Sequence, residues 1–165
     1  MIHTVEGDLA SVLADAVVRP ATTRLEPLTQ ALRRLDEAAG PSFAAQSQVR
    51  RELAVGSAVV TGAGDLPHEF VLHLVLGTAP DTVTTDAVRR ATEAALWQCT
   101  QWHIQSLAAP VPAAGNLSAE GALDAFLSVL RPHMQTNDLP TTVRIVSGTA
   151  AETALLNARI GQGDD

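Results

Sequence analysis

The run EFVLHLVLG, Glu69 to Gly77, is apolar at nearly every position. A strand with one face in water alternates polar and apolar residues, whereas a run of this kind must be covered on both faces. DAVVRPA (Asp15 to Ala21) and GSAVVTGAG (Gly56 to Gly64) share the pattern and end at turn formers. IQSLAAPVP (Ile104 to Pro112) and TTVRIVSGT (Thr141 to Thr149) complete the set, and the opening MIHTVEG adds an edge strand, which makes five or six strands.

Between the strands lie amphipathic stretches of helical period. TTDAVRRATEAALWQCTQWH opens on capping residues and places Val88, Ala91, Ala95, Cys99 and Trp102 on one face. SAEGALDAFLSVLRPHM starts at Ser118 as N-cap and carries Ala122, Phe126, Val129 and Leu130 until Pro132, which discourages continuation. PLTQALRRLDEAAGP aligns Leu28, Ala31, Leu32 and Leu35 and stops at Gly40-Pro41, while SFAAQSQVRREL suggests one more helix. Strands alternating with helices predict an α/β fold with a mixed, mostly parallel central sheet of about six strands and helices on both faces. In such folds ligands sit beyond the carboxyl ends of the strands.

Composition narrows the function classes. The length of 165 residues suits one domain, residues 1–165, and hydrophobic residues at 46% with interrupted apolar runs suit a globular chain rather than a membrane span. The opening MIHTVEGDLA lacks a basic stretch followed by an apolar one, so the expected location is the cytoplasm. A net charge of −7 without a basic stripe argues against a nucleic-acid duplex as partner. All eleven basic residues are arginine, and tyrosine is absent, which excludes Lys-amine and Tyr-hydroxyl mechanisms within the chain. Cys99 alone forms no internal disulfide, the histidines lack metal-ligand spacing, and neither a metal nor a cofactor is expected. No Gly-x-Ser-x-Gly turn is present, which weighs against covalent catalysis.

The segments Gly7-Asp8-Leu9, Ala16-Val17-Val18, Ala38-Ala39-Gly40-Pro41 and Gly56 to Val75 stand in the order and spacing of a known pattern. That pattern runs G-D-I, then A-I-V-N-A-A-N, then glycines, then A-A-G-P, then G-x-A-x-x-T-x-G-x-L-P-x-x-[YF]-V-I-H-x-V. The chain therefore resembles the macrodomain family, three-layer α/β/α modules that bind ADP-ribose, over nearly its whole length. The resemblance implies a ligand site at Asp8 and Leu9 (adenine), Ala21 and Thr22 (distal ribose), Ala113, Ala114, Gly115, Asn116 and Leu117 (phosphates and ribose), and Thr149 beside the base. Asp8 reads equally well as the cap of a short helix LASVLADA.

Several of these positions depart from the family. Arg19-Pro20-Ala21-Thr22 stands where N-A-A-N is expected, so Thr22 replaces an Asn that orients the distal ribose. Pro27 to Gln30 replace glycines whose N–H groups approach a pyrophosphate, and proline has no N–H to offer. The Gly115 loop and the start of the helix near Ser118 are the best remaining phosphate site. Arg19 and Arg24 either replace the lost donors or, as the more ordinary reading, Arg19 pairs with a nearby Asp or Glu and Arg24 is a solvated loop residue. His73 reads as a packed strand residue, and Arg33-Arg34 and Arg50-Arg51 as solvated helix faces.

Three functions follow from the resemblance. The first is a module that binds ADP-ribose or a related nucleotide with weakened or altered affinity and little or no hydrolysis. The second is a scaffold, including a homo-oligomer, that keeps the fold without the ligand. The third, ranked last, is an ADP-ribosyl hydrolase or O-acetyl-ADP-ribose deacetylase.

Overall fold

The computed structural model describes residues 1–160; the predicted domain of residues 1–165 runs on to 161–165, which lie outside the described residues. Six strands form one mixed sheet in the order β1-β6-β5-β2-β4-β3. They are β1 (Ile2–Glu6), β2 (Ala16–Thr22), β3 (Ala58–Gly62), β4 (Phe70–Gly77), β5 (Ser106–Pro110) and β6 (Thr142–Ser147). All neighbours are parallel except the β3–β4 hairpin at one edge. Helices α1 (Gln30–Gln46), α2 (Thr85–Trp102), α3 (Ala119–Thr136) and α4 (Ala150–Ile160) complete the three α/β/α layers anticipated from the strand composition.

The sheet is covered as its apolar runs demand. Val71 to Gly77 of β4 are all buried, as is the whole of β2. Pairing between β2 and β5 stops after Ala16↔Leu107 and Val17↔Ala108, so the two strands part toward their carboxyl ends. Pro20, with no N–H to give, falls in the half of β2 that has left β5.

Four local expectations are corrected. Helix α3 continues through Pro132 to Thr136. Pro132 and Ser128, whose helical bond is lost, both lie on the solvent-exposed side of the helix, and His133 anchors the final turn by donating from Nε2 to the Leu139 carbonyl at 2.9 Å. SFAAQSQVRREL yields only the short segment that ends at Gln46; beyond it the Leu53 N–H is taken by the Thr23 carbonyl at 2.8 Å rather than by a helix. LASVLADA forms a single tight turn at Leu9–Ser11, because Val12 is extended and its carbonyl accepts from His68 Nε2 at 2.8 Å. Trp102, placed on the apolar face of α2, is 51% exposed: the helix ends there in left-handed His103 (φ 53°), and the indole leans on Phe70.

The break at Gly40-Pro41 is present. Gly40 adopts φ 83°, and a Cβ on it would stand 2.5 Å from Asp65 Oδ2, so only glycine fits the kink that divides α1. Among the described residues, no helix is long and apolar enough to cross a membrane.

Candidate functional site

A cavity of about 580 Å³ lies beyond the carboxyl ends of β1, β6 and β5, where β5 and β2 have separated. Its size suits a small organic ligand. Gly7, Asp8 and Leu9 line it from the turn after β1, and Gly148, Thr149 and Glu152 from the start of α4. Pro110, Val111, Ala113, Ala114, Gly115 and Leu117 form the wall after β5, and Thr29, Ala31, Leu32 and Arg34 of the α1 region close the remaining side.

Each wall is built by local chemistry. Asp8 is exposed and caps the Leu9–Ser11 turn through a long Ala10 N–H contact of 3.4 Å, so the capping role and the cavity position coexist. The Thr149 hydroxyl accepts from the Glu152 N–H at 3.1 Å, and Glu152 Oε1 accepts from the Gly148 N–H at 2.9 Å, which fixes the α4 end of the cavity. Gly115 turns at φ 40° with no room for a side chain: a Cβ would lie 2.3 Å from the Pro80 carbonyl oxygen. Asn116 secures that bend by donating from Nδ2 to the Val83 carbonyl at 3.0 Å.

Of the residues implied by the resemblance, Asp8, Leu9, Ala113, Ala114, Gly115, Leu117 and Thr149 meet around one cavity. Ala21, Thr22 and Asn116 do not line it. Ala21 is fully buried against Leu25 and Val75, and the Thr22 hydroxyl is spent on its own turn, accepting from the Arg24 and Glu26 N–H groups at 3.2 and 3.1 Å. The start of α3 is likewise occupied, since Ser118 Oγ accepts from the Gly121 N–H, and Ser118 lies outside the cavity lining. Thr29, from the segment that replaces the family's glycines, still reaches the wall, and Arg34 and Glu152 join it although nothing in their sequence pattern set them apart from ordinary helix-face residues.

The segment after β2 folds inward. Leu25 takes a left-handed φ of 58°, its N–H bonds the Thr22 carbonyl, and Leu25 and Leu28 are both buried. Arg19, 1% exposed, holds this turn from beneath: Nη2 donates to the Leu25 carbonyl at 2.9 Å, and Nε and Nη2 grip the two carboxylate oxygens of Asp36. Nη1 donates to His73 Nδ1 at 3.1 Å, which leaves His73 Nε2–H to donate to Thr61 Oγ1 and the Thr61 hydroxyl to donate to the Gly62 carbonyl. Burial, reinforced by the Arg19 charge, pushes the His73 pKa down to about 3, so the ring is a neutral packing element. Arg24 is exposed and faces Glu52 at 3.7 Å. Arg19 thus takes the ion-pair role, Arg24 is a solvated loop residue with Glu52 nearby, and neither lines the main cavity.

Burial also raises the Cys99 thiol to about 12, which removes it as a nucleophile. Among the described residues, no group of three His, Cys, Asp or Glu is placed to hold a metal.

The sequence model of the macro domain matches residues 18–120. An uncharacterised protein of Mycobacterium tuberculosis is 27% identical over 162 residues, which cover 97% of this chain and 45% of that protein. The chain therefore spans less than half the length of that relative. O-acetyl-ADP-ribose deacetylase 1 of Pantoea vagans is 36% identical over 78 residues, 45% of this chain and 46% of the enzyme. The crystal structure of a Trypanosoma brucei macrodomain in complex with ADP-ribose superposes with a TM-score of 0.85 at 18% identity, covering 97% of this chain and 69% of that one. With the matched segment running from the middle of β2 into α3 and the whole sheet superposing, this chain belongs to the macro domain family.

Proposed function

We propose that residues 1–165 act as one cytoplasmic binding module whose cavity takes ADP-ribose or a related nucleotide, with altered affinity and little or no hydrolysis. The observation that carries this reading is the position of Asp8, an exposed carboxylate on the wall of a 580 Å³ cavity whose far side is the side-chain-free bend at Gly115. A carboxylate accepts from an amino group of a base, and a bare glycine bend lets a phosphate approach the backbone. The likeness to a macrodomain crystallised with ADP-ribose supports the choice of ligand.

Altered affinity follows from the segment after β2. Its leucines are buried, Thr22 is bound within its own turn, and Pro27 lacks an N–H, so phosphate binding falls to the Gly115 side alone. The same loss argues against hydrolysis, which needs a positioned ribose and water. The buried Leu25 and Leu28 equally favour the second reading, a scaffold or homo-oligomer that has filled part of its former cleft.

Calorimetric titration with ADP-ribose separates the readings. Micromolar binding that weakens by about tenfold or more in Asp8→Ala supports the nucleotide module. No heat up to millimolar ligand defeats it in favour of the scaffold, and turnover of O-acetyl-ADP-ribose by the wild-type chain defeats the claim of little hydrolysis.

A further inference from the structure

Arg34 is the one cation on the wall of the main cavity, and no ion pair or hydrogen bond engages its side chain among the described residues. Helix α1 packs against the Leu9–Ser11 turn that Asp8 opens, and Arg34 of that helix shares the cavity wall with Asp8 and Leu9, which favours the Asp8 end for its side chain. Because β1 and β6 are paired, the segments that follow them bring Glu152 to that same end. Among the described residues no aromatic ring lines the cavity and the Arg34 guanidinium is the one planar cation there, which makes it the natural partner for a flat ring.

We propose that Arg34 lies across the face of the ligand's nucleobase and makes the cavity selective for ligands that carry one, specifically a base with an exocyclic amino group. The inference rests on the nucleotide reading above. Charge decides between base and phosphate at this end: a phosphate beside Arg34 also meets the carboxylates of Asp8 and Glu152, two like charges against one opposite. A neutral base with an amino group meets acceptors at its edge and a cation on its face. The wall after β5, Pro110 to Leu117, contributes no carboxylate and is left for the phosphates.

The test is titration of wild type, Arg34→Ala and Arg34→Lys with ADP-ribose, AMP and ribose 5-phosphate. Arg34 is exposed, so thermal midpoints of all three proteins should agree and serve as the folding control. The expected result is a loss of about tenfold for ADP-ribose and AMP in both variants, since lysine keeps the charge and loses the plane. Whatever affinity the wild type has for ribose 5-phosphate should be unchanged. Unaltered binding in Arg34→Ala, wild-type affinity in Arg34→Lys, or an equal loss on ribose 5-phosphate each overturns the inference while the nucleotide reading stands. Binding of AMP but not ADP-ribose by the wild type, lost in both variants, removes ADP-ribose as ligand and upholds Arg34; binding of neither defeats both.

Discussion

Arg19 and Asp36 meet at two points, Nε to Oδ1 at 2.8 Å and Nη2 to Oδ2 at 2.7 Å, across the gap between β2 and α1. Arg19 is 1% exposed and Asp36 26%, so the pair ties the strand to the helix from inside the molecule. Its remaining contacts, to the Leu25 carbonyl and His73, recruit the loop and β4 to the same anchor.

Removing one member of such a pair leaves the other poorly compensated. Arg19→Ala is expected to cost about 3–5 kcal/mol in urea unfolding, and Arg19→Lys less, since one ammonium cannot span both oxygens. The affinity of the folded variant for ADP-ribose should not change, because Arg19 lies outside the main cavity. A loss of binding without a loss of stability would return Arg19 to the phosphate role.

His73 ties stability to pH. Its folded pKa of about 3 lies below the unfolded value of 6.5, so between those values the unfolded chain holds a proton that the folded chain does not. Stability from this site is present above 6.5 and declines as pH falls through that window, by up to about 1.4 kcal/mol per pH unit. Urea midpoints measured from pH 7 to 4.5 should fall more steeply for wild type than for His73→Gln; parallel curves would refute the assignment.

Thr22→Val keeps the shape and removes the acceptor used by two backbone N–H groups. A stability loss of about 1–2 kcal/mol is expected with no change in ADP-ribose affinity. Weaker binding at unchanged stability would mean that the hydroxyl serves the ligand.

Gly115→Ala forces a Cβ toward the Pro80 carbonyl at a φ of 40°. The loop must shift, at about 1–3 kcal/mol, and ADP-ribose binding should weaken with it. Thermal melting and titration of the same sample read both effects.

The sheet was legible because β2 and β4 need cover on both faces, and the helical stretches that alternate with the strands are there to supply it. The ion-pair reading of Arg19 was legible too, since a charge inside an apolar strand requires a partner. What escaped were choices made by tertiary contacts. Val49 and Leu53 are spaced like a helix, yet they pack on Ala21, Leu25 and Val75 in an irregular segment. Pro132 is a breaker by rule, but its position on the exposed side of α3 makes the missing bond tolerable. Arg34 has the periodicity of a solvated helix residue, and only the packing of α1 on the turn after β1 turns it toward a cavity. Thr22 shows the converse, a residue marked by its place in a pattern whose hydroxyl is consumed by neighbours two and four positions away.

The pairing of Ile2 with Val143 has a consequence for synthesis. Of the six strands β1 is made first, yet its sole neighbour in the sheet is β6, about 140 residues later. At ordinary elongation rates the wait is on the order of ten seconds, during which an edge strand and the carboxylate that follows it have no platform. The pocket is therefore completed late: a nascent chain stalled before Thr142 would have made five of the six strands, with β1 unpaired and the wall from Val146 to Glu152 still missing.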